Sequence, residues 1–248
     1  MNQTNALKTI NIPPIVKRLW WYLLIAVLVC LLLFPVGTRG IRYFIIIGGV
    51  VLVVAGFILY WKNLYLRYLL VALCLVCLLI ITLPGRRADS GELRKEYLSS
   101  LSSYTNTRYI WGGENHLGID CSGLVREGMV DANRSLGIKT LNMGLVRRSF
   151  YIWWNDCTAR DLGNGYRQMT RPVLQADSMD ALDYHKLMPG DILVNDDGVH
   201  TFAYLGDLMW IEASPVKGKV IKISGKEKAK EWGGIKIKIV RWSELTGD

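Results

Sequence analysis

Cys121 sits in Asp120-Cys-Ser-Gly-Leu-Val125, immediately ahead of a stretch to Arg134 whose Leu124, Val125, Gly128 and Met129 offer one apolar face. That pattern predicts a helix with the cysteine in its first turn and Asp120 or Ser122 as its cap. A thiol attacks a carbonyl carbon as thiolate, so it needs its acidity raised by a helix N-terminus, a nearby imidazole, or both. Cys121 has the first from local sequence alone. Its backbone amide, unpaired in the first turn, can also point at the oxyanion of a tetrahedral intermediate.

A base must accompany the thiol. Of the three histidines, His116 and His185 lie in polar, loop-like surroundings beside Asn115 and Lys186, where a solvated imidazole is expected. His200 is flanked by Val199, Phe202 and Tyr204 in a strand-like run that would hold its ring in one direction. Glu212, in Trp210-Ile-Glu-Ala-Ser214, is the one carboxylate of an otherwise apolar strand. A hairpin turning at Gly206-Asp207 brings His200 and Glu212 near one another on the same face. The set then reads as nucleophile, base and orienting group: Cys121, His200 and Glu212.

Metal chemistry is the rival reading of a Cys/His set. The soluble half has no paired C-x-x-C or H-x-x-x-H spacing, so no metal and no cofactor is expected. Of the five cysteines, Cys30, Cys74 and Cys77 fall in apolar segments where a small side chain packs well. Cys121 and Cys157 remain, and a disulfide between them in an oxidising compartment would consume the nucleophile.

The elements that must position this set make an α+β domain. A helix is expected over Arg86–Ser103, from the helical recurrence of Leu93, Tyr97, Leu98 and Leu101. A tight turn follows at Gly112-Gly113, and then the cysteine helix. Leu145–Trp154 reads as a further helix, Asp161–Tyr166 as a loop, and the rest of 137–186 gives no clear pattern. The aromatic cluster Tyr151, Trp153 and Trp154 reads as packing. Antiparallel strands are expected over Asp191–Asn195, Val199–Leu205, Met209–Ala213, Lys219–Ser224 and Ile235–Trp242, joined by glycine-bearing turns. Helices first and strands afterwards argue for α+β.

Composition divides the 248 residues near Pro84, into an apolar region, 1–84, and a domain, 85–248. Three apolar segments, 19–36, 41–60 and 66–83, are each about 18 to 20 residues long, roughly the thickness of a bilayer's hydrocarbon core. They carry no polar stripe, so a bundle of three transmembrane helices is expected rather than amphipathic core helices. Trp20, Trp21, Tyr22, Tyr60, Trp61, Tyr65 and Tyr68 gather at their ends as interfacial anchors. Lys8, Lys17, Arg18, Lys62 and Arg67 fall on one side, against Arg39, Arg42, Arg86, Arg87, Arg94 and Lys95 on the other. Charge therefore does not set the orientation, although an odd number of spans puts the termini on opposite faces. The net charge of +9 is scattered without a basic helix or zinc-finger spacing, which argues against nucleic acid and for an anionic membrane or wall polymer.

With these residues in view, Tyr109-Ile-Trp-Gly-Gly113, Gly118-Ile-Asp-Cys-Ser-Gly-Leu-Val125, Leu187-Met-Pro-Gly-Asp191 and the run from His200 to Ser214 resemble, in order and spacing, NlpC/P60 hydrolases. The resemblance covers roughly Leu93 to Trp242. It implies a papain-like fold and cleavage of amide bonds in peptidoglycan stem peptides, typically between D-glutamate and a diamino acid. It also implies that Tyr109 lines the site near the oxyanion, that Asp120 and Ser122 recognise the free amine of the stem peptide, and that Trp111 belongs to the substrate-binding set. Glutamate at the third position departs from the histidine, asparagine or glutamine usual there, which bears on the pH profile more than on the mechanism.

Because peptidoglycan lies outside the cytoplasmic membrane, the resemblance further implies a multi-pass protein of a bacterial inner membrane with its catalytic domain extracytoplasmic. Its partners would be stem peptides, the lipid bilayer and other membrane proteins. A membrane-surface thiol acyltransferase or lipid amidase, and a catalytically silent scaffold module of a membrane complex, stand as alternatives.

Overall fold

The computed structural model describes residues 13–231 and 234–247. Lys8, counted above among the N-terminal charges, lies outside them. The chain divides into two compact units, one formed by the segment ending at Phe34 with Thr38–Cys77, the other by Pro35–Gly37 with the chain from Leu78 onward.

The first unit is built on α1 (Pro14–Leu33), α2 (Arg39–Leu59) and most of α3 (Leu64–Thr82). Each of these helices is long and apolar enough to cross a membrane. Helix α1 starts five residues before the expected apolar boundary because Pro14 opens it. Proline lacks the amide that a first turn leaves unpaired, and its fixed φ is already helical. Helix α2 starts where Thr38 caps it, its hydroxyl accepting from the Ile41 amide. Trp20 packs with Val27 and Leu52, and its indole donates to the Leu52 carbonyl at 2.9 Å. Such contact requires near-touching backbones, and Gly48 permits it, since a Cβ there would lie 2.8 Å from a Val27 methyl.

In the second unit α4 (Ser90–Ser103) begins at the cap Asp89, four residues later than expected, because its carboxylate accepts from the Glu92 amide at 2.8 Å. A two-stranded hairpin, β1 (Glu114–Asn115) and β2 (Gly118–Ile119), leads into α5 (Cys121–Lys139). Helix α5 runs five residues beyond the expected end at Arg134. Next come α6 (Met143–Trp154) and α7 (Ala159–Gly163). A loop was expected at α7; a capping box between Thr158 and Asp161 nucleates the helix instead. The strands are β3 (Thr170–Ala176), β4 (Ile192–Asn195), β5 (Thr201–Gly206), β6 (Met209–Ser214), β7 (Lys219–Ser224) and, after α8 (Gly225–Glu231), β8 (Ile237–Trp242). They form one antiparallel sheet in the order β3-β8-β4-β5-β6-β7. Strand β3 and helix α8 were not foreseen.

Alternation along the strands sends Ile192, Val194, Ala203 and Ile211 into a core shared with Leu93, Tyr97 and Leu101 of α4 and Leu124, Val125 and Met129 of α5. Leu193, Phe202, Trp210 and Ile239 enter a second core on the sheet's other face. The sheet is thus buried on both sides and holds its central strands rigidly. Tyr151 and Trp153 pack on the first core, as expected for packing residues.

The Pro-Gly-Asp motif proves structural. Asp191 is fully buried, receives two hydrogen bonds from the Arg241 guanidinium at 2.6 and 2.8 Å, and accepts the Met188 amide at 2.8 Å. Removing one partner of a buried ion pair strands the other's charge, at a cost of roughly 3–5 kcal/mol. Asp191→Ala is therefore expected to lower stability by about that amount, read by chemical denaturation of the detergent-solubilised chain. A loss under about 1 kcal/mol would show that the pair contributes no more than a surface contact does.

Candidate active site

Each residue of the Asp-Cys-Ser-Gly motif has a separate task at the start of α5. Asp120 is the N-cap: one carboxylate oxygen accepts from the Gly123 amide at 2.6 Å and the Ser122 hydroxyl at 3.0 Å. Its other oxygen accepts from the Gly112 amide at 2.8 Å, tying the Gly112-Gly113 turn to the helix start. Gly123 is required because a Cβ there would collide with the Gly113 carbonyl oxygen. One turn further, buried Arg126 pairs with Glu114 of β1 and Asp156, the latter at 2.6 Å. Burial opposes its charge, but Glu114, Glu127 and Asp156 together hold it more firmly protonated than usual.

Cys121 is buried, and its sulfur lies 3.8 Å from the carbonyl oxygen of Val199, the residue before His200. Cys121 and Cys157 are both thiols, not a disulfide. His200 does not lie within a strand, as expected, but at the entrance to β5. Asn195 fixes it there: its side-chain oxygen accepts from the Val199 and His200 amides, both at 2.9 Å, and its backbone N–H donates to the His200 carbonyl. The β5–β6 register pairs Ala203 with Ile211, which puts Glu212 opposite Phe202 and diagonal to His200. The imidazole Nε2 and a Glu212 carboxylate oxygen meet at 2.8 Å.

The expected hairpin juxtaposition is therefore present, and it has a component that sequence reasoning missed. The second Glu212 oxygen accepts from Lys228 Nζ of α8 at 2.9 Å, and both side chains are almost wholly buried. Three lysines alternate in Lys226-Glu-Lys-Ala-Lys230; nothing local marks the middle one as buried. Asn195 also carried no signal, since its role is to hold backbone.

Electrostatics at the thiol differ from the expectation of a pKa lowered by the helix. Burial pushes Cys121 up to about 12, the neighbouring Asp120 carboxylate adds to this, and the amides of Thr201, Ser122 and Cys121 itself pull only partly in the other direction. Burial and the Asp120 carboxylate thus favour the protonated thiol. Glu212 engages Nε2 of His200, which leaves Nδ1 as the ring nitrogen not held by that carboxylate. Tyr109 stands close enough to share this field: burial first, then Cys121 and Asp120, push its hydroxyl up to about 12, which keeps it a donor. Trp111, by contrast, is 74% exposed. His116 stacks on Tyr104 at 4.1 Å, and it and His185 are solvent-exposed.

A helix carrying the thiol, packed on an antiparallel sheet carrying the imidazole, is the layout of a papain-like domain. This chain belongs to the NlpC/P60 family, which matches residues 106–232, about half of its length. Cys121, His200, Glu212 and Lys228 all fall inside the match. Among solved structures, NlpC2 from Trichomonas vaginalis is 16% identical, with 63% of this chain and 49% of that one covered and a TM-score of 0.40. The peptidoglycan hydrolase RipB from Mycobacterium tuberculosis is 19% identical, with 61% and 66% covered and a TM-score of 0.38. An N-acetylmuramoyl-L-alanine amidase from Bacteroides uniformis is 13% identical, with 60% and 98% covered and a TM-score of 0.44. The chain spans about half the length of the Trichomonas vaginalis proteins NlpC2 and NlpC1, 49% and 46%. No curated protein matches it.

Burial raises the pKa of the Glu212 carboxyl, but the hydrogen bonds from His200 and Lys228 outweigh it and set the value below normal. A carboxyl depressed in the folded state adds stability above its unfolded pKa of about 4.3 and loses it as pH falls through the folded value. The stability advantage of the wild type over Glu212→Gln should therefore shrink once the pH drops below about 4. Denaturation midpoints across a pH series test this; a gap independent of pH would contradict it.

Proposed function

We propose that this chain is a membrane-anchored cysteine hydrolase that cleaves amide bonds in peptidoglycan stem peptides, with Cys121 as nucleophile, His200 as base and Glu212 as the orienting third residue. The observation that carries the reading is the arrangement of the Cys121 sulfur against the Val199–His200 segment, with the imidazole held by a buried carboxylate on the next strand. Membership of the NlpC/P60 family supports it. The bond we favour lies between D-glutamate and a diamino acid.

In the first step His200 Nδ1 takes the thiol proton as a sulfur–carbon bond forms at the peptide carbonyl. The oxyanion is met by the Cys121 amide and the Tyr109 hydroxyl. The imidazolium returns its proton to the leaving amine as the carbon–nitrogen bond breaks, which leaves a thioester. Water, deprotonated by the same imidazole, attacks the thioester and regenerates the thiol with release of a carboxylic acid. Asp120 and Ser122 line the cleft for the stem peptide's amine while capping the helix, and exposed Trp111 offers a ring at its rim. No metal or cofactor takes part in this scheme.

The apolar helices α1, α2 and α3 anchor the 85–248 domain to a bacterial cytoplasmic membrane, and the substrate places that domain on the outer side. Anchoring confines cleavage to wall close to the bilayer and leaves helix surfaces for other membrane proteins.

The test is to incubate the purified chain in detergent with muropeptides and follow products by mass spectrometry. Wild type should give a cleaved D-glutamyl bond, and Cys121→Ala should lose at least about 10³-fold in rate, the usual size of a missing nucleophile. Cleavage that survives Cys121→Ala would end the cysteine mechanism. Inert muropeptides with labelled lipid products would move the substrate class to a membrane-surface amide or acyl group.

A further inference from the structure

Lys228 has no part in the chemistry just described, yet it is an ammonium only 4% exposed, in a helix whose Lys226 and Lys230 neighbours face solvent. Its Nζ lies 2.9 Å from one Glu212 oxygen, while the other oxygen is 2.8 Å from His200 Nε2. It also lies 5.7 Å from the centre of the Phe202 ring, which is fully buried in the second core. A buried lysine is costly unless its charge is met, and here it is met by the carboxylate that contacts the base.

An uncompensated carboxylate, 1% exposed and in contact with an imidazole, strongly favours imidazolium, because opposite charges within about 4–6 Å shift titrations by roughly one to three units. A carboxylate already paired with an ammonium presents little net charge to its other neighbour. We propose that Lys228 is a positioning residue: it cancels the charge of Glu212 and clamps its second oxygen, so that His200 is held as a neutral side-chain amide would hold it, and the Cys121–His200 pair rests as thiol and imidazole. This explains how glutamate serves where an amide would suffice. The upward shift of the Cys121 pKa, from burial and the Asp120 carboxylate, accords with an uncharged resting pair. Among the described residues, the charged and titratable groups that act on this pair include Asp120 at the start of α5, Tyr109 from the preceding loop, Glu212 from β6 and, behind it, Lys228 from α8.

The inference rests on the Cys121–His200 pairing proposed above, so its test reads the thiol directly and needs no substrate. The full chain in detergent is alkylated with iodoacetamide across a pH series, and modification of Cys121 is followed by peptide mass spectrometry. Lys228→Met should expose the Glu212 charge, favour thiolate–imidazolium, and raise the Cys121 alkylation rate at neutral pH by about tenfold or more. Lys228→Arg, which keeps the charge, should behave as wild type. The double variant Glu212→Gln with Lys228→Met is neutral like the native pair. It should fold, since removing both partners of a buried pair costs little, and should return the wild-type profile. A Lys228→Met profile that coincides with wild type, or a double variant displaced from it, would overturn the proposal. A His200→Ala profile unchanged from wild type would instead remove the pairing itself, and the proposal with it.

Discussion

A carboxylate out of reach of water persists in a folded protein only where hydrogen-bond donors and cations meet its charge, and Glu212 is met on both sides. His200 contacts one oxygen and Lys228 the other, from elements separated in sequence by the whole β6–β7 hairpin. The geometry of the thiol site follows from this. Because Glu212 is fixed in a strand paired on both edges, the imidazole it holds cannot wander. Because Asn195 fixes the backbone of Val199 and His200, the carbonyl beside the Cys121 sulfur is fixed as well.

The helix end and the sheet make different contributions to that site. The start of α5 supplies amides that favour thiolate, but burial and Asp120 work against them and prevail. A nucleophile kept protonated needs a base aligned to take the proton during attack, and in the proposed mechanism that base, His200, comes from the sheet. Asp120 contributes to the cost at the sulfur while capping the helix and holding the Gly112-Gly113 turn. One side chain thus ties together three parts of the site, which is why a residue that raises the thiol's pKa is still the right one there.

Much of this arrangement was legible in the sequence because local rules governed it. Cys121 was placed at a helix start by Asp120 ahead of an apolar face, and His200 and Glu212 by two strands flanking a Gly-Asp turn. The register of a short hairpin leaves little freedom, so the diagonal contact followed. Other features depend on tertiary packing and carried no signal. Lys228 is one of three alternating lysines, and only the docking of α8 decides which is buried. Strand β3 pairs with the distant β8, and its proline interrupts the pattern that would have marked it. Helix α7 is five residues long and owes its existence to one capping box, visible as Thr158 and Asp161 but weak without its context. The apolar helices were plain from composition, and their ends shifted where Pro14 and Thr38 set local boundaries.

The central claim is that Cys121 is the nucleophile and that His200 takes its proton. A stem-peptide mimic carrying an acyloxymethyl ketone in place of the scissile amide puts this to the test most directly, since a thiol held at the substrate carbonyl position displaces the carboxylate from the adjoining methylene and keeps the label through a carbon–sulfur bond. After incubation with the detergent-solubilised chain, peptide mapping should find the label on Cys121, competed by muropeptides and slowed at least about tenfold by His200→Ala. A label on any other residue, or labelling of Cys121 at the same rate without His200, would contradict the account.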